Sequence, residues 1–213
     1  MADPVRITRA KVLVHPTGHL LSIETCRQHL EVVAIDGDSD SESHPDDGLI
    51  LDMLDAAVAH AEQFTGLSIL LRTWEAALDT FPAGAIELPR PPLVELQSFS
   101  AVNDSDGELD PSTYVVDDYG TPEQPVLLWP AVSWPQVTKA TNTIKVRFRA
   151  GYQSETDPDS DAPPLPRSLR AAILLVLGHL YANREDSVEK ALASIPNGAD
   201  ALMRPLRVRL GMA

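Results

Sequence analysis

Pro166-Arg-Ser-Leu169-Arg-Ala-Ala-Ile173-Leu-Leu-Val176-Leu-Gly-His-Leu180-Tyr-Ala-Asn-Arg-Glu185 decides the fold class of this chain. Leu169, Ile173, Val176 and Leu180 recur at i, i+4, i+7 and i+11, the stripe of a packed helix. Leu174, Leu175 and Leu177 add a second apolar surface beside it. Only Arg167, Arg170, His179, Asn183 and Arg184 interrupt the pattern. A helix apolar over so wide an arc is central to its own domain or also packs against another subunit. Its unbroken apolar run, Ala171 to Leu177, is far short of the roughly 20 residues that cross a bilayer. The stretch therefore predicts a helix that needs cover on more than one face, with Leu169, Ile173, Val176, Leu180 and Tyr181 as core or oligomer contacts.

Working outward, the period of the pattern changes twice. Ser22 suits the N-cap of a first helix running to about Ala34, with Glu24 favourable in its first turn. Asp46 or Asp47 caps a second helix, in which Ile50, Leu54, Ala57, Ala61 and Phe64 form one stripe and Gly66 stops it. Trp74, Ala76 and Leu78 then alternate with polar neighbours, as do Val94 to Gln97 and Ile144 to Arg149, the period of half-buried strands. Tyr114 to Val116 reads as another short strand, and Asp104-Ser-Asp106-Gly107 as a turn. Prolines 89, 91, 92, 122, 125, 130 and 135 argue against long central strands. A short helix around Ala199–Met203 and a basic segment end the chain. The expected class is α+β: a bundle of three to four helices with an inserted antiparallel β-domain. Its parts are an N-terminal arm over 1–19 with a short strand Lys11–Val14, bundle over 20–68, β-domain over 69–152, bundle again over 153–204, and a tail over 205–213.

The 213 residues suit one domain with an insertion or two small ones, and 44% apolar content can build a core. The N-terminus lacks the apolar stretch of a secretory signal, and the lone Cys26 leaves neither an internal disulfide framework nor a cysteine-based zinc site. Intracellular assembly is the expectation. Cys26 falls in register with Ile23, Leu30 and Val33, as a buried structural thiol would.

The net charge of −14 is unevenly spread. Residues 28–71 hold ten Asp or Glu and residues 91–138 hold eight, with no Lys or Arg in either stretch. Positive charge gathers at Arg6, Arg9 and Lys11, at Lys139 to Arg149, and at Arg204, Arg207 and Arg209. Gripping DNA phosphates requires Lys and Arg, so an acidic body suits a surface that DNA slides past; plain solubility explains it equally.

No catalytic constellation is legible. Asp36-x-Asp38-x-Asp40 resembles the start of a calcium loop, but Ser41 replaces the turn glycine and Asp47 the terminal glutamate. The six histidines form no HExxH motif, and His179 reads as a helix histidine satisfied in a core or interface. Pro89-Arg-Pro-Pro92 matches the minimal PxxP ligand form but reads better as a turn into the Val94 strand. Lys145, Arg147 and Arg149 share one strand face, either plain outward surface or an intersubunit contact to acidic loops. No catalytic, cofactor or metal residue is assigned.

Several segments in order resemble a known family: Glu62-Gln-Phe-Thr-Gly66, Arg72-Thr-Trp74, Leu88-Pro-Arg-Pro-Pro-Leu93, Asp104-x-Asp-Gly107 and Tyr114-Val-Val-Asp117. Trp134-Pro135, Val146-Arg-Phe-Arg-Ala-Gly-Tyr152, Ala172 to Glu185, Ile195-Pro-Asn-Gly198 and Leu202-x-Arg-Pro-Leu-Arg207 continue the series. Over roughly residues 20–210 the chain is similar to the head–tail connector (adaptor, or head-completion) proteins of long-tailed bacteriophages, prophages and gene-transfer agents. It departs at Ala101-Val-Asn103, where many relatives carry a tyrosine, and in a longer acidic loop at 36–47. The resemblance implies a homo-oligomeric ring, a dodecamer, beneath the portal protein and above a head-closure or tail protein. Such a ring would sit in the virion after assembly in the host cytoplasm, and DNA would pass through it without specific binding. No membrane, cofactor or catalytic residue belongs to that picture. Acidic loops 36–47 or 155–161 would face the channel, and a tail bearing Arg204, Leu206, Arg207, Val208 and Arg209 would dock on the portal or else fold back on its own acidic bundle. The alternatives are a tail-terminator or other tail-tube ring component, and a small acidic metal-dependent enzyme.

Overall fold

The computed structural model describes residues 4–32, 43–102, 106–137, 141–158, 160–183 and 197–208. Most of the acidic 36–47 loop, the turn residue Asp104, and the chain from Arg209 onward lie outside them. The class is α+β, with four helices and two largely antiparallel sheets among the described residues.

The helices build one core. α1 (Ile23–Leu30) starts as expected: Ser22 Oγ accepts the Thr25 N–H at 3.2 Å. It closes before Ala34 because Glu31 turns left-handed, with φ 57°. Cys26 is buried on its inner face, and that burial pushes the thiol up to about 11. α2 (Asp47–Thr65) buries Ile50, Leu54, Ala57 and Ala61, and Gly66 ends it at φ 81° with its N–H on the Glu62 carbonyl. Asp47 does not cap in the usual sense. Its carboxylate holds Arg27 of α1, and that hydrogen bond draws its pKa below the ordinary aspartate range.

α3 (Arg167–Ala182) is central. It buries Leu169, Ala172, Ile173, Leu174, Val176 and Leu177, and α1, α2 and α4 (Asn197–Met203) all pack against it. Leu180 and Tyr181 are partly buried against the same core, and the Tyr181 hydroxyl donates to Asp46 at 2.8 Å. The core reading of its wide apolar arc is met within the chain; Leu175 alone of the large apolar side chains on α3 stays exposed.

The sheets build a second core. The five-stranded sheet runs β2 (Arg9–Val14), β3 (Arg72–Leu78), β9 (Ile144–Ala150), β5 (Leu93–Val102), β6 (Asp106–Glu108). The four-stranded sheet runs β1 (Val5–Arg6), β4 (Ile86–Glu87), β8 (Leu127–Pro130), β7 (Tyr114–Asp117), in which only β1 and β4 pair in parallel. In the central register Trp74, Phe148 and Leu96 stand abreast, and so do Ala76, Val146 and Phe99, so one face is apolar throughout. Phe81 stacks on Trp134 at 4.9 Å, and Trp134 Nε1 donates to the Gly84 carbonyl. Residues 5–14, read as an arm with one strand, give a strand to each sheet.

Val176 is 2% exposed between α3 and its neighbours, so a carboxylate placed there would be buried and unpaired. Val176→Asp, and equally Ile173→Asp, is expected to lose cooperative unfolding by circular dichroism. Leu175→Asp, one position along, is expected to keep it.

Candidate interaction surfaces

Four of the segments that carry the resemblance, Glu62–Gly66, Arg72–Trp74, Leu88–Leu93 and Val146–Tyr152, meet where the bundle joins the sheets. After Gly66 the chain runs out of α2 through Ser68-Ile69-Leu70 into β3. Glu62, on the last turn of α2, accepts from the Ile69 N–H at 2.8 Å and from Arg72 Nη2 at 2.9 Å. Arg90 Nη1 reaches the Glu62 carbonyl at 3.5 Å, placing a cation at the negative end of the helix. Arg72 and Arg90 both lie near the Trp74 ring, at 5.7 and 5.5 Å from its centroid. The Trp74 indole N–H donates to Ser68 Oγ, the Ser68 N–H to the Pro91 carbonyl, and the Gly151 N–H to the Pro92 carbonyl. Pro89, Pro91 and Pro92 are buried here, so the PxxP segment is not presented as a ligand and the turn reading holds. Gly151 is obligatory: at φ 142° an added Cβ would stand 2.5 Å from the Leu71 backbone.

The outer face of the five-stranded sheet is charged. Lys11, Glu75 and Arg147 align across three strands. Glu75, only 7% exposed, accepts from Lys11 Nζ at 2.8 Å and from Arg147 Nε at 2.9 Å. The Lys11 bond, then the Arg147 bond, hold its carboxyl below the usual glutamate range against the opposing effect of burial. Arg149 forms a two-bond fork with Asp161 at 3.1 Å. Arg147 and Arg149 of the predicted basic row therefore meet acids of their own chain.

The loop at 153–166 is anchored in the same way. Burial disfavours ionisation of Glu155, yet Arg170, the Ser22 N–H and Thr25 Oγ1 all donate to its carboxylate and keep it below its ordinary value. Glu155 and Asp161, two acids expected toward a channel, are thus turned to cations and donors of the same subunit.

The C-terminal segment follows the folded-back reading as far as Val208. The Val208 N–H donates to the Thr65 carbonyl at 2.8 Å, and its buried side chain packs over Gly66. Arg207 sits 5.7 Å from the Phe64 ring centroid, and Leu206 is half-buried. Residues 205–208 are therefore part of the bundle surface, because Leu206 and Val208 find apolar cover beside the end of α2. Arg204 and Arg207 remain exposed on it. Among the described residues no three His, Cys, Asp or Glu side chains gather as a metal site.

No protein-family model and no curated protein sequence matches the chain. Solved structures that share its fold include chains of gene transfer agent particles. A chain of the neck of an empty gene transfer agent (GTA) particle, computed with C6 symmetry, aligns with TM-score 0.73 at 19% identity, over 97% of this chain and 98% of that one. A chain of the virion of a native GTA particle aligns with TM-score 0.72 at 18% identity, over 96% and 97%. A chain of the neck of a native GTA particle, computed with C12 symmetry, aligns with TM-score 0.67 at 18% identity, over 94% and 98%. The bundle and the sheets are therefore common to all of these chains, nearly end to end.

Two measurements probe this geometry. Gly151→Ala, strained and in collision with Leu71, is expected to cost on the order of 3 kcal/mol and lower Tm by several degrees. For Glu75 the folded pKa is depressed, so its contribution is present above the ordinary glutamate range and disappears as pH falls through the lower folded value. Glu75→Gln is expected to lower Tm at neutral pH, with the gap to wild type closing as the wild-type carboxylate is protonated in acid.

Proposed function

We propose that this chain is a structural subunit of a virion neck: a head–tail connector that forms a closed ring beneath the portal and leaves a channel for DNA. The observation that carries this reading is the end-to-end agreement of its fold with chains of GTA necks, in assemblies computed with C6 and C12 symmetry. A ring of identical subunits needs a rigid protomer, since a small error in angle accumulates around the circle. The junction at Glu62, Trp74 and Gly151 provides that rigidity, by tying bundle and sheets through side chains and backbone together. The acidic balance suits a conduit, because a negative wall gives the phosphate backbone nothing to hold. Within this reading the role is assembly and passage, with no reacting groups.

Attachment to the portal is assigned to the C-terminal end. Arg204 and Arg207 are exposed on the bundle, and residues 209–213 follow directly from the anchored Val208. An extended basic and apolar segment can add a strand or fill a groove on a partner.

Electron microscopy of the purified protein, alone and mixed with portal, tests the role. Rings seated on portal support it; binding to tail-tube protein and not to portal would make the chain a tail-terminator instead. Tight, salt-sensitive DNA binding would contradict the conduit. Deleting residues 209–213, beyond the anchored segment, is expected to leave Tm unchanged and to abolish attachment to portal-bearing heads. Unchanged attachment would reject the docking role of that end.

A further inference from the structure

Among the described residues the two sheets have four edge strands, and these are not alike. β1 has two residues and β6 three, too short to template much pairing. β2 has six and β7 four, and among the described residues no strand pairs with the outer side of either. The chain passes from β1 to β2 through Ile7-Thr8 alone, and from β6 to β7 through residues 109–113, where the Leu109 N–H is held by the Phe99 carbonyl. Each short edge therefore adjoins a long one. β2 and β7 stand on opposite flanks of the two-layer unit.

The flanks carry opposite charge. Residues 4–18 contain Arg6, Arg9 and Lys11 and no acid; residues 107–124 contain Glu108, Asp110, Asp117, Asp118 and Glu123 and no base. Arg6 is largely covered and paired with Glu87, and Arg9 and Lys11 touch Asp79 and Glu75, but the side chains of Arg9 and Lys11 are 51% and 67% exposed and keep donors to spare. Both flanks are also apolar at the surface. Leu13 and Val14 are exposed on one; Val115, Val116 and Tyr119, the last 99% exposed, lie on the other. Scattered surface hydrophobics need no explanation. Rows of them along an unpaired edge do, because sheets otherwise shield their edges. β2 carries Lys11 and a register shift between Val12 and Val14, features that restrain indiscriminate pairing. β7 carries neither.

We infer that the β2 flank of one copy docks edge to edge against the β7 flank of the next copy of this chain, basic segment on acidic segment. The inference rests on reading the chain as a ring subunit, and it names the surfaces by which that ring closes. Two different surfaces on opposite sides of a subunit form a heterologous contact, which propagates head to tail until it closes on itself. Edge pairing supplies backbone hydrogen bonds, the valines and Tyr119 supply apolar burial, and opposite charge sets the polarity of addition.

Cross-linking on portal-bearing heads tests it. The chain's single thiol, Cys26, is buried, so introduced cysteines are the reactive ones. With a short bismaleimide, the double variant V14C/V115C is expected to give a ladder of several rungs. A mixture of the two single variants should stop at dimer, and each single variant alone should stay monomeric. A second arm reverses the acidic flank at exposed positions: D117K/D118K is expected to keep its Tm and to reduce ring assembly about tenfold at low salt. Rings visible by electron microscopy with only monomer on the gel overturn the edge docking and leave the ring-subunit reading standing. An unchanged yield of rings from D117K/D118K equally overturns the charge pairing. Wild-type protein that neither forms rings nor binds heads overturns the ring-subunit reading itself, and the docking with it.

Discussion

Glu62 is the point on which the molecule turns. Its carboxylate receives the Ile69 N–H and the Arg72 guanidinium, while its carbonyl receives the Gly66 N–H that ends α2 and lies within reach of Arg90. One residue thus terminates a helix, starts the path into a sheet, and seats two arginines beside Trp74. A charge-assisted contact that is largely shielded from water is worth more than its exposed counterpart. Gly151 completes the arrangement from the other side, where no side chain would fit against Leu71. The relative placement of two separate cores depends on this small polar assembly.

Each core then solves a different packing problem. The bundle is organised around α3, which touches α1, α2 and α4 and leaves little apolar surface on itself. The sheets close on aromatic side chains, with Phe81, Phe99 and Trp134 in mutual contact and Tyr114 against Phe99. Most of the large apolar side chains that remain exposed lie on strands and loops of the β-part, with Leu49 and Leu175 the two on helices. For an assembly subunit this division is sensible: the helical core holds the protomer, and the strands with their unpaired backbone face the outside.

The acidity of the chain is less free than its net charge suggests. Asp47, Glu62, Glu75, Glu155 and Asp161 all face cations or N–H donors of the same subunit. These pairs knit elements far apart in sequence: α1 to α2, β2 to β3 to β9, and the 153–166 loop to α3. The excess negative charge lies elsewhere, in segments such as 107–124 that hold no base. A strand flank with such a field favours a partner of opposite sign and repels DNA by the same physics.

Local periodicity was enough to establish the α+β class, the helix starts at Ser22 and Pro166, the stop at Gly66, and the apolar faces of α3, β3 and β9. Those features arise from capping groups and from repeats of 3.6 and 2, which are written within a few residues. The left-handed Glu31 that shortens α1 had no such signal, since a glutamate seldom adopts that backbone. The strands at 5–14 were faint because an edge strand is half exposed and its apolar alternation is weak. Their partners, β3 and β4, lie some 60 to 80 residues away. Which acids would be spent on internal pairs, and that Leu206 and Val208 would lie back on the bundle, depended on surfaces the chain assembles only when folded. The ordered motifs around Glu62, Trp74, Pro91 and Gly151 were readable one by one in the sequence; that they meet at a single junction was decided by tertiary structure, because hydrogen bonds and ring contacts between distant segments leave no periodicity behind.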